Sequence, residues 1–402
     1  MSSQIPSFIK PADRIASFKP YFFAQLGQKL NALKAKGVDI IRIDIGSPDL
    51  PPVEFITDEL VKSARREDSH GYTPNGGTPA FRKAIAQYYQ RRFNVTLDPQ
   101  SETLTLLGSK EGLFNLSQVL VNPGDVVLVP DPGYPVYLAS GIIAGAEIYT
   151  MPLVQEKGFL ADLDAIPADV ASRAKILWLN YPNNPTGAIA PLEYLAKAVN
   201  FARQYNIVVA HDAPYVDVCF DGYIAPSIMQ VPGAKDVAVE FNSLSKTYNM
   251  AGWRLGMAVG NAQVINYLHT YKSQMDSSHF MAVLDAGVIA LTGDQTWLEG
   301  RNQIYLERRN IVLDGLRQAG FPTETPPAAI YVWAHLPEGY SDSMAFCDRM
   351  LEEIGVSTTP GIVYGTYGEG YLRISLGTAT PRIREAMQRI VNWMKTTPPP
   401  HA

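Results

Sequence analysis

Two cysteines in 402 residues, Cys219 and Cys347, are too few and too far apart for a disulfide framework, and there is no CxxC pair. Both are expected to be bystander thiols, which suits a cytoplasmic chain. The six histidines show no metal-ligand spacing such as HExxH, so no metal is expected. His211 adjoins Asp212, but neighbours on a strand face opposite ways, which argues against His211 as a ligand. No run approaches the ~20 apolar residues that span a bilayer. The first stretch carries Pro6, Pro11 and Pro20 and reads as neither signal peptide nor anchor. Positive charge is not in excess: 34 Lys+Arg against 39 Asp+Glu give a net charge of −5. A nucleic-acid partner therefore has no electrostatic footing. Internal repeats are also missing.

What is present centres on Lys246. An apolar run, Val237 to Glu240, leads into Phe241-Asn242-Ser243-Leu244-Ser245-Lys246, and Arg254 follows beside a second apolar run. The pattern reads as a strand, a small polar turn and a lysine at its tip. A lone lysine is ordinarily a solvated surface charge. Here Ser243, Ser245 and Arg254 could hold a phosphate while Lys246 reaches a carbonyl carbon. A lysine Schiff base beside a phosphate site is what pyridoxal phosphate requires.

Three further apolar runs end in polar clusters. Lys175 to Asn180 leads to Tyr181-Pro182-Asn183-Asn184-Pro185-Thr186-Gly187, Asn206 to Ala210 leads to His211-Asp212-Ala213-Pro214-Tyr215, and Val126 to Val129 leads to Pro130-Asp131-Pro132-Gly133-Tyr134. Each run reads as a buried parallel strand, and open α/β sheets bind ligands at the carboxyl ends of their strands. Asp212 would accept a hydrogen bond from a protonated pyridine nitrogen. Tyr134 would stack on the ring. Gly108, Ser109 and Lys110 would offer main-chain N–H groups at a helix start, which suits a phosphate dianion. Asn183, Asn184 and Tyr215 are candidates for the cofactor's phenolic oxygen. A plain Asn-Pro turn is the ordinary reading of the asparagines.

Around these runs, Gln28 to Lys36 reads as a helix ended by Gly37. Thr78 caps a second helix, with Pro79 in its first turn and Phe81, Ala84, Ile85, Tyr88 and Tyr89 as its apolar stripe. Ser109 is expected to cap a third. Alternating apolar runs and helical patterns up to about Gly260 predict a mostly parallel sheet covered by helices. After about residue 290 the pattern changes. A long helix, Trp297 to Ala319, a strand from Ile330 to Ala334, a helix from Ser343 to Ile354 and a strand from Arg373 to Leu376 predict a smaller α+β domain. Residues 396–402 are expected to form a disordered tail.

Three stretches, SLSKTYNMAGWR, NYPNNPTG and DAPY, resemble the class I/II aminotransferases of the pyridoxal phosphate fold type I superfamily. The likeness runs from IDIGSPDLP (Ile43 to Pro51) through GYTPNGGTPAFR (Gly71 to Arg82) to GEGYLRISL (Gly368 to Leu376). It implies an α/β fold with a large domain, residues 49–292, built on a mostly parallel seven-stranded sheet flanked by helices. Residues 1–48 and 293–402 would form a discontinuous small domain. Of the two asparagines, it selects Asn184. It places Arg373 on the substrate α-carboxylate, with Gly46 giving main-chain room nearby. Tyr72 would reach the phosphate from a partner subunit, so the site would need a homodimer. Lys246 would hold the cofactor and then move a proton between the substrate Cα and the cofactor. The implied activity is a ping-pong transfer of an amino group between an amino acid and a 2-oxo acid, with glutamate and 2-oxoglutarate as one pair.

GSKEG with Lys110, DPGYPVY and Tyr21 within KPYFFAQL are similar to the LL-diaminopimelate aminotransferase branch and add Tyr21 and Lys110 to the substrate contacts. That branch carries a glutamate in the loop after Tyr72 to hold the distal ammonium. This sequence has Thr73-Pro74-Asn75-Gly76-Gly77, and a neutral Asn75 leaves aspartate, alanine or another common amino acid open as donors. A C–S β-lyase on the same scaffold is the alternative reaction. A regulator that binds the cofactor without turnover is the remaining one.

Overall fold

The computed structural model describes residues 9–16, 18 and 22–396. Tyr21 and residues 397–402 lie outside the described residues, so neither the Tyr21 contact nor most of the expected tail meets a structural observation. Thr396 closes the last helix, Thr380–Thr396, rather than opening a tail.

After a short strand β1 (Ile41–Arg42), seven strands build the main sheet: β2 (Thr103–Leu106), β3 (Val126–Asp131), β4 (Glu147–Pro152), β5 (Ala174–Asn180), β6 (Val208–Asp212), β7 (Ala238–Ser243) and β8 (Gly256–Gly260). Their order is β2-β8-β7-β6-β5-β3-β4, and β8 alone runs opposite to the other six. The central strands β5, β6 and β7 are buried at all but Lys175 and Val208, as a parallel sheet covered on both faces requires, and their buried polar residues gather toward the carboxyl ends. Register decides what lies at the sheet edge. Asn180 pairs with Asp212, and Asp212 with Phe241, so the last turns of β5, β6 and β7 open side by side.

The C-terminal part adds β9 (Tyr331–His335), β10 (Val356–Ser357), β11 (Thr359–Pro360) and β12 (Tyr371–Ser375). β11, β12 and β9 form an antiparallel sheet, and β1 pairs parallel with β10 through Ile41 and Val356. Ile41 and Ile43 share one apolar cluster with Val332, Leu372 and Ile383, which joins the N-terminal segment to the C-terminal one.

Helix starts follow their residues. Thr78 Oγ1 accepts from Phe81 N at 3.2 Å, Pro79 opens the helix Pro79–Phe93, and the expected stripe is buried. Three local expectations are corrected. The first long helix begins at Phe22, because Phe22, Phe23 and Leu26 extend the apolar face that packs on Leu351. Gly108, not Ser109, occupies the cap position of the helix Ser109–Leu120, in a positive-φ turn that glycine enters without strain. The turn expected from Phe241 is a continuation of β7 to Ser243, because its backbone stays paired with β8. Lys246 therefore sits on a one-turn helix, Leu244–Thr247. No helix among the described residues is long and apolar enough to cross a membrane.

Candidate active site

The strand ends surround a cavity of about 530 Å³, lined among others by Gly46, Ser109, Lys110, Tyr134, Asn184, Asp212, Tyr215, Ser243, Ser245, Lys246, Arg254 and Arg373. Twelve residues chosen from sequence thus meet in one place. A second cavity, of about 300 Å³, lies against Gly187, Pro326 and Trp333. It contains no lysine or arginine to hold a phosphate.

At its floor, Asp212 is the last residue of β6 and only 4% exposed. Oδ2 accepts a hydrogen bond from Tyr137 Oη at 2.6 Å, while Oδ1 has no partner among the described residues. Burial pushes the carboxyl pKa up to about 7, against the Tyr137 hydrogen bond. A buried acid with one bare oxygen calls for a cationic partner, and a protonated pyridine nitrogen is one. Asn180 Nδ2 donates to the Asp212 carbonyl at 2.7 Å and fixes the turn behind it.

The Asn183–Gly187 turn separates its two asparagines by role. Asn183 Oδ1 accepts from Thr186 N and Oγ1, and its amide donates to Asn180 O, so its hydrogen bonds are used within the turn. Asn184 instead accepts from Arg373 Nη1 at 2.8 Å. Arg373 Nη2 donates to Asp44 O at 2.8 Å, and Nε has no partner among the described residues. A buried guanidinium with an unused N–H suits a carboxylate.

Lys246 is half-buried at the cavity wall, and its ammonium donates to Gly46 O. Burial first, and then the charges of Arg373 and Arg254, hold its pKa below the ordinary lysine value. Arg301, on the helix Trp297–Gln318, donates to the carbonyls of Lys246, Thr247 and Asp217 and clamps the turn. Gly46 leaves less room than expected, since a Cβ there would overlap the Tyr331 hydroxyl.

The residues expected to hold a phosphate converge as well. Ser245 Oγ accepts from Ser243 Oγ at 2.9 Å. Arg254 Nη1 donates to Ala251 O at 2.9 Å, and its carbonyl accepts from His279 Nε2 at 2.7 Å. A Cβ on Gly108 would overlap the Arg254 guanidinium, so only glycine lets that cation close on the helix start. The amides of Ser109 and Lys110 open that helix and have no intrahelical acceptor. Two hydroxyls, a guanidinium and first-turn N–H groups make a fitting cradle for a phosphate dianion. Burial and the neighbouring Arg254 hold Lys110 below the ordinary lysine value, and its ammonium lies 5.8 Å from the centre of the Tyr134 ring.

Tyr72 is the described site residue that does not join. It is 95% exposed, on a loop pinned by Thr73 Oγ1 to His279 O and by Asn75 Nδ2 to Asp276 O. Sequence reasoning missed Tyr137, Asn180, Arg301 and Tyr331. Tyr137 had the one available signal, a polar tip one helical turn after Tyr134.

The model for aminotransferases of class I and II matches residues 38–390. The LL-diaminopimelate aminotransferase of Moorella thermoacetica is 50% identical over 382 residues, 95% of this chain and 98% of that protein. The enzyme of the same name from Desulforudis audaxviator is 49% identical over 384 residues, 96% and 97% of the two chains. The substrate-bound structure of BacF from Bacillus subtilis superposes with a TM-score of 0.91 at 37% identity, covering 96% of this chain and 97% of that one. The chain belongs to the class I and II aminotransferases and is a pyridoxal phosphate-dependent transaminase.

Proposed function

We propose that the amino donor is LL-diaminopimelate and that the acceptor is a 2-oxo acid such as 2-oxoglutarate. The observation that carries this reading is the near-full-length identity of about half to relatives of that name. The cavity's charge supports a donor with two carboxylates. It holds Arg42, Lys110, Lys246, Arg254 and Arg373 against Asp212 as its one carboxylate among the described residues. Arg42 is compensated by Asp44 at 2.6 Å. A phosphate dianion and two substrate carboxylates suit what remains better than an alanine-sized donor would. The distal ammonium has no acid to meet in this cavity. Asn75, whose amide is spent on main-chain carbonyls, could offer only its oxygen, and only from a partner subunit.

Bound pyridoxal phosphate supplies an electrophilic carbon for the amine and an electron-withdrawing ring. In our assignment Asp212 would keep that ring protonated at its nitrogen. Asn184 and Tyr215 would hold its phenolic oxygen, and Tyr134 would pack on the ring. Gly108, Ser109, Lys110, Ser243, Ser245 and Arg254 would hold its phosphate. Arg373 grips the substrate α-carboxylate. Lys246 takes and returns the proton at the substrate Cα, a task that its lowered pKa suits near neutral pH. Residues 49–292 are assigned as the cofactor unit, and residues 1–48 with 293–402 as the unit bearing Arg373. Tyr72, exposed on a pinned loop, is assigned to the phosphate of a partner subunit in a homodimer. A cytoplasmic setting fits the two unpaired thiols.

A donor panel against 2-oxoglutarate tests the substrate. LL-diaminopimelate is expected to exceed alanine and aromatic amino acids, which carry one carboxylate, in kcat/KM by about tenfold or more, the gain from one further charge-assisted contact, and to stay above aspartate. Aspartate as the best donor overturns the assignment. Pyruvate and ammonia released from cystathionine would move the protein to the β-lyases.

A further inference from the structure

Tyr331 opens β9 and is only 2% exposed. A buried strand position is filled as well by phenylalanine or leucine, so the hydroxyl needs its own explanation. It meets the Tyr215 hydroxyl at 2.9 Å, with the two rings edge to face. On its ring face, the Arg373 guanidinium carbon lies 4.1 Å from the centroid. That guanidinium is buried, so water does not dilute the cation–π contact. Gly46 presses so close to the Tyr331 hydroxyl that no Cβ fits, and the Gly46 carbonyl accepts from Lys246. Tyr331 therefore touches the arginine set for the substrate, the tyrosine set for the cofactor and the main chain beneath the lysine. Tyr215 follows β6 of the large sheet and Tyr331 belongs to the three-stranded sheet, so the hydroxyl pair bridges the two.

We propose that Tyr331 is a positioning residue that couples carboxylate capture by Arg373 to the cofactor oxygen contacted by Tyr215. The proposal rests on the assignment of Lys246, Tyr215 and Arg373 above and adds a connection which that assignment lacks. Proton counting sets its direction. Tyr215 has one proton. With that proton donated to the cofactor oxygen, its own oxygen is left to accept, and Tyr331 donates to it. A hydroxyl that accepts a hydrogen bond becomes a better donor. The Tyr331 hydroxyl thereby favours the anionic form of the cofactor oxygen and keeps the lysine-linked nitrogen unprotonated to lower pH. Its ring fixes the plane of the Arg373 guanidinium.

Two substitutions separate the parts. Tyr331→Phe removes the hydroxyl alone, and Tyr331→Leu removes the ring as well. The readouts on cofactor-loaded protein are visible absorbance against pH and the KM of donor and 2-oxo acid. In Tyr331→Phe the chromophore is expected to titrate about 0.2–0.5 unit higher, as weakening one member of a hydrogen-bond chain implies. Its KM values should stay within about twofold, because the cation–π face is kept. In Tyr331→Leu both KM values should rise about tenfold. A Tyr331→Phe chromophore that titrates as in the wild type, or lower, overturns the coupling. Unchanged KM values in Tyr331→Leu overturn the ring's part. A wild-type protein with no visible chromophore fails differently, because it removes the Lys246 assignment itself and this proposal with it.

Discussion

Tyr137 completes half of Asp212. Its hydroxyl donates to Oδ2 at 2.6 Å, and the other carboxylate oxygen is left bare. Tyr137 is itself held rigid, fully buried and stacked on Trp178 with ring centroids 4.9 Å apart. The protein thus presents a fixed, half-satisfied acid at the base of its cavity.

That acid makes apoprotein stability depend on pH. The folded-state pKa of Asp212 is raised by burial to about 7. Its contribution is fully present below the ordinary carboxylate pKa and is lost as pH rises through about 7, on the order of 4 kcal/mol in all. A bound cofactor cation offsets the loss. The gap in Tm between loaded and cofactor-free protein should therefore be wider at pH 8 than at pH 5, and Asp212→Asn should narrow it. Equal gaps at the two pH values would contradict the pairing.

Lys246→Ala should still bind pyridoxal phosphate through the phosphate cradle but lose the visible chromophore of a lysine linkage. Turnover should fall by about three decades or more, because nucleophile and base are removed together. Borohydride reduction followed by peptide mass mapping of the wild type checks the position. A label on any other lysine would overturn the assignment.

Arg373→Lys keeps the charge and loses the planar fork. It also leaves Asn184 Oδ1 and Asp44 O without their donor. The KM of the amino acid and that of the 2-oxo acid should both rise, by about ten- to a hundredfold, the worth of a charge-assisted hydrogen bond. A defect in one half-reaction alone would show that the two substrates do not share this arginine.

Mixing Lys246→Ala with Tyr72→Ala subunits tests the exposed tyrosine. If Tyr72 serves its partner's site, each hybrid dimer contains one intact site, and random mixing should restore on the order of a quarter of wild-type activity. Mixed samples that stay as inactive as the parents would place Tyr72 in its own chain's site or outside catalysis.

The legible residues are those whose position is set locally. Lys246, Asp212 and Asn184 each follow an apolar run within a few residues, and the sheet's register then places them side by side. The choice between Asn183 and Asn184 becomes physical only when the turn is seen to consume the first. Tyr331 was hidden because it begins a buried strand and looks like packing. The residue that explains its hydroxyl, Tyr215, is 116 positions away. Arg301 was hidden in the same way, as one of several charges on a long helix. The cap assigned to Ser109 was mistaken because a positive-φ glycine can occupy the cap position without a side chain.

Arg301 also determines how Lys246, the lysine assigned above to proton transfer, can move. Its guanidinium binds the carbonyls of Lys246 and Thr247 from a helix that begins at Trp297, far along the chain from the turn it grips. The backbone at Lys246 is therefore an anchored pivot. Any travel of the amine between two carbon atoms falls to the four-carbon arm beyond it, whose torsions turn in picoseconds to nanoseconds when unhindered. The reach of the Lys246 amine is set by the length of one side chain, and a residue remote in sequence keeps the pivot in place.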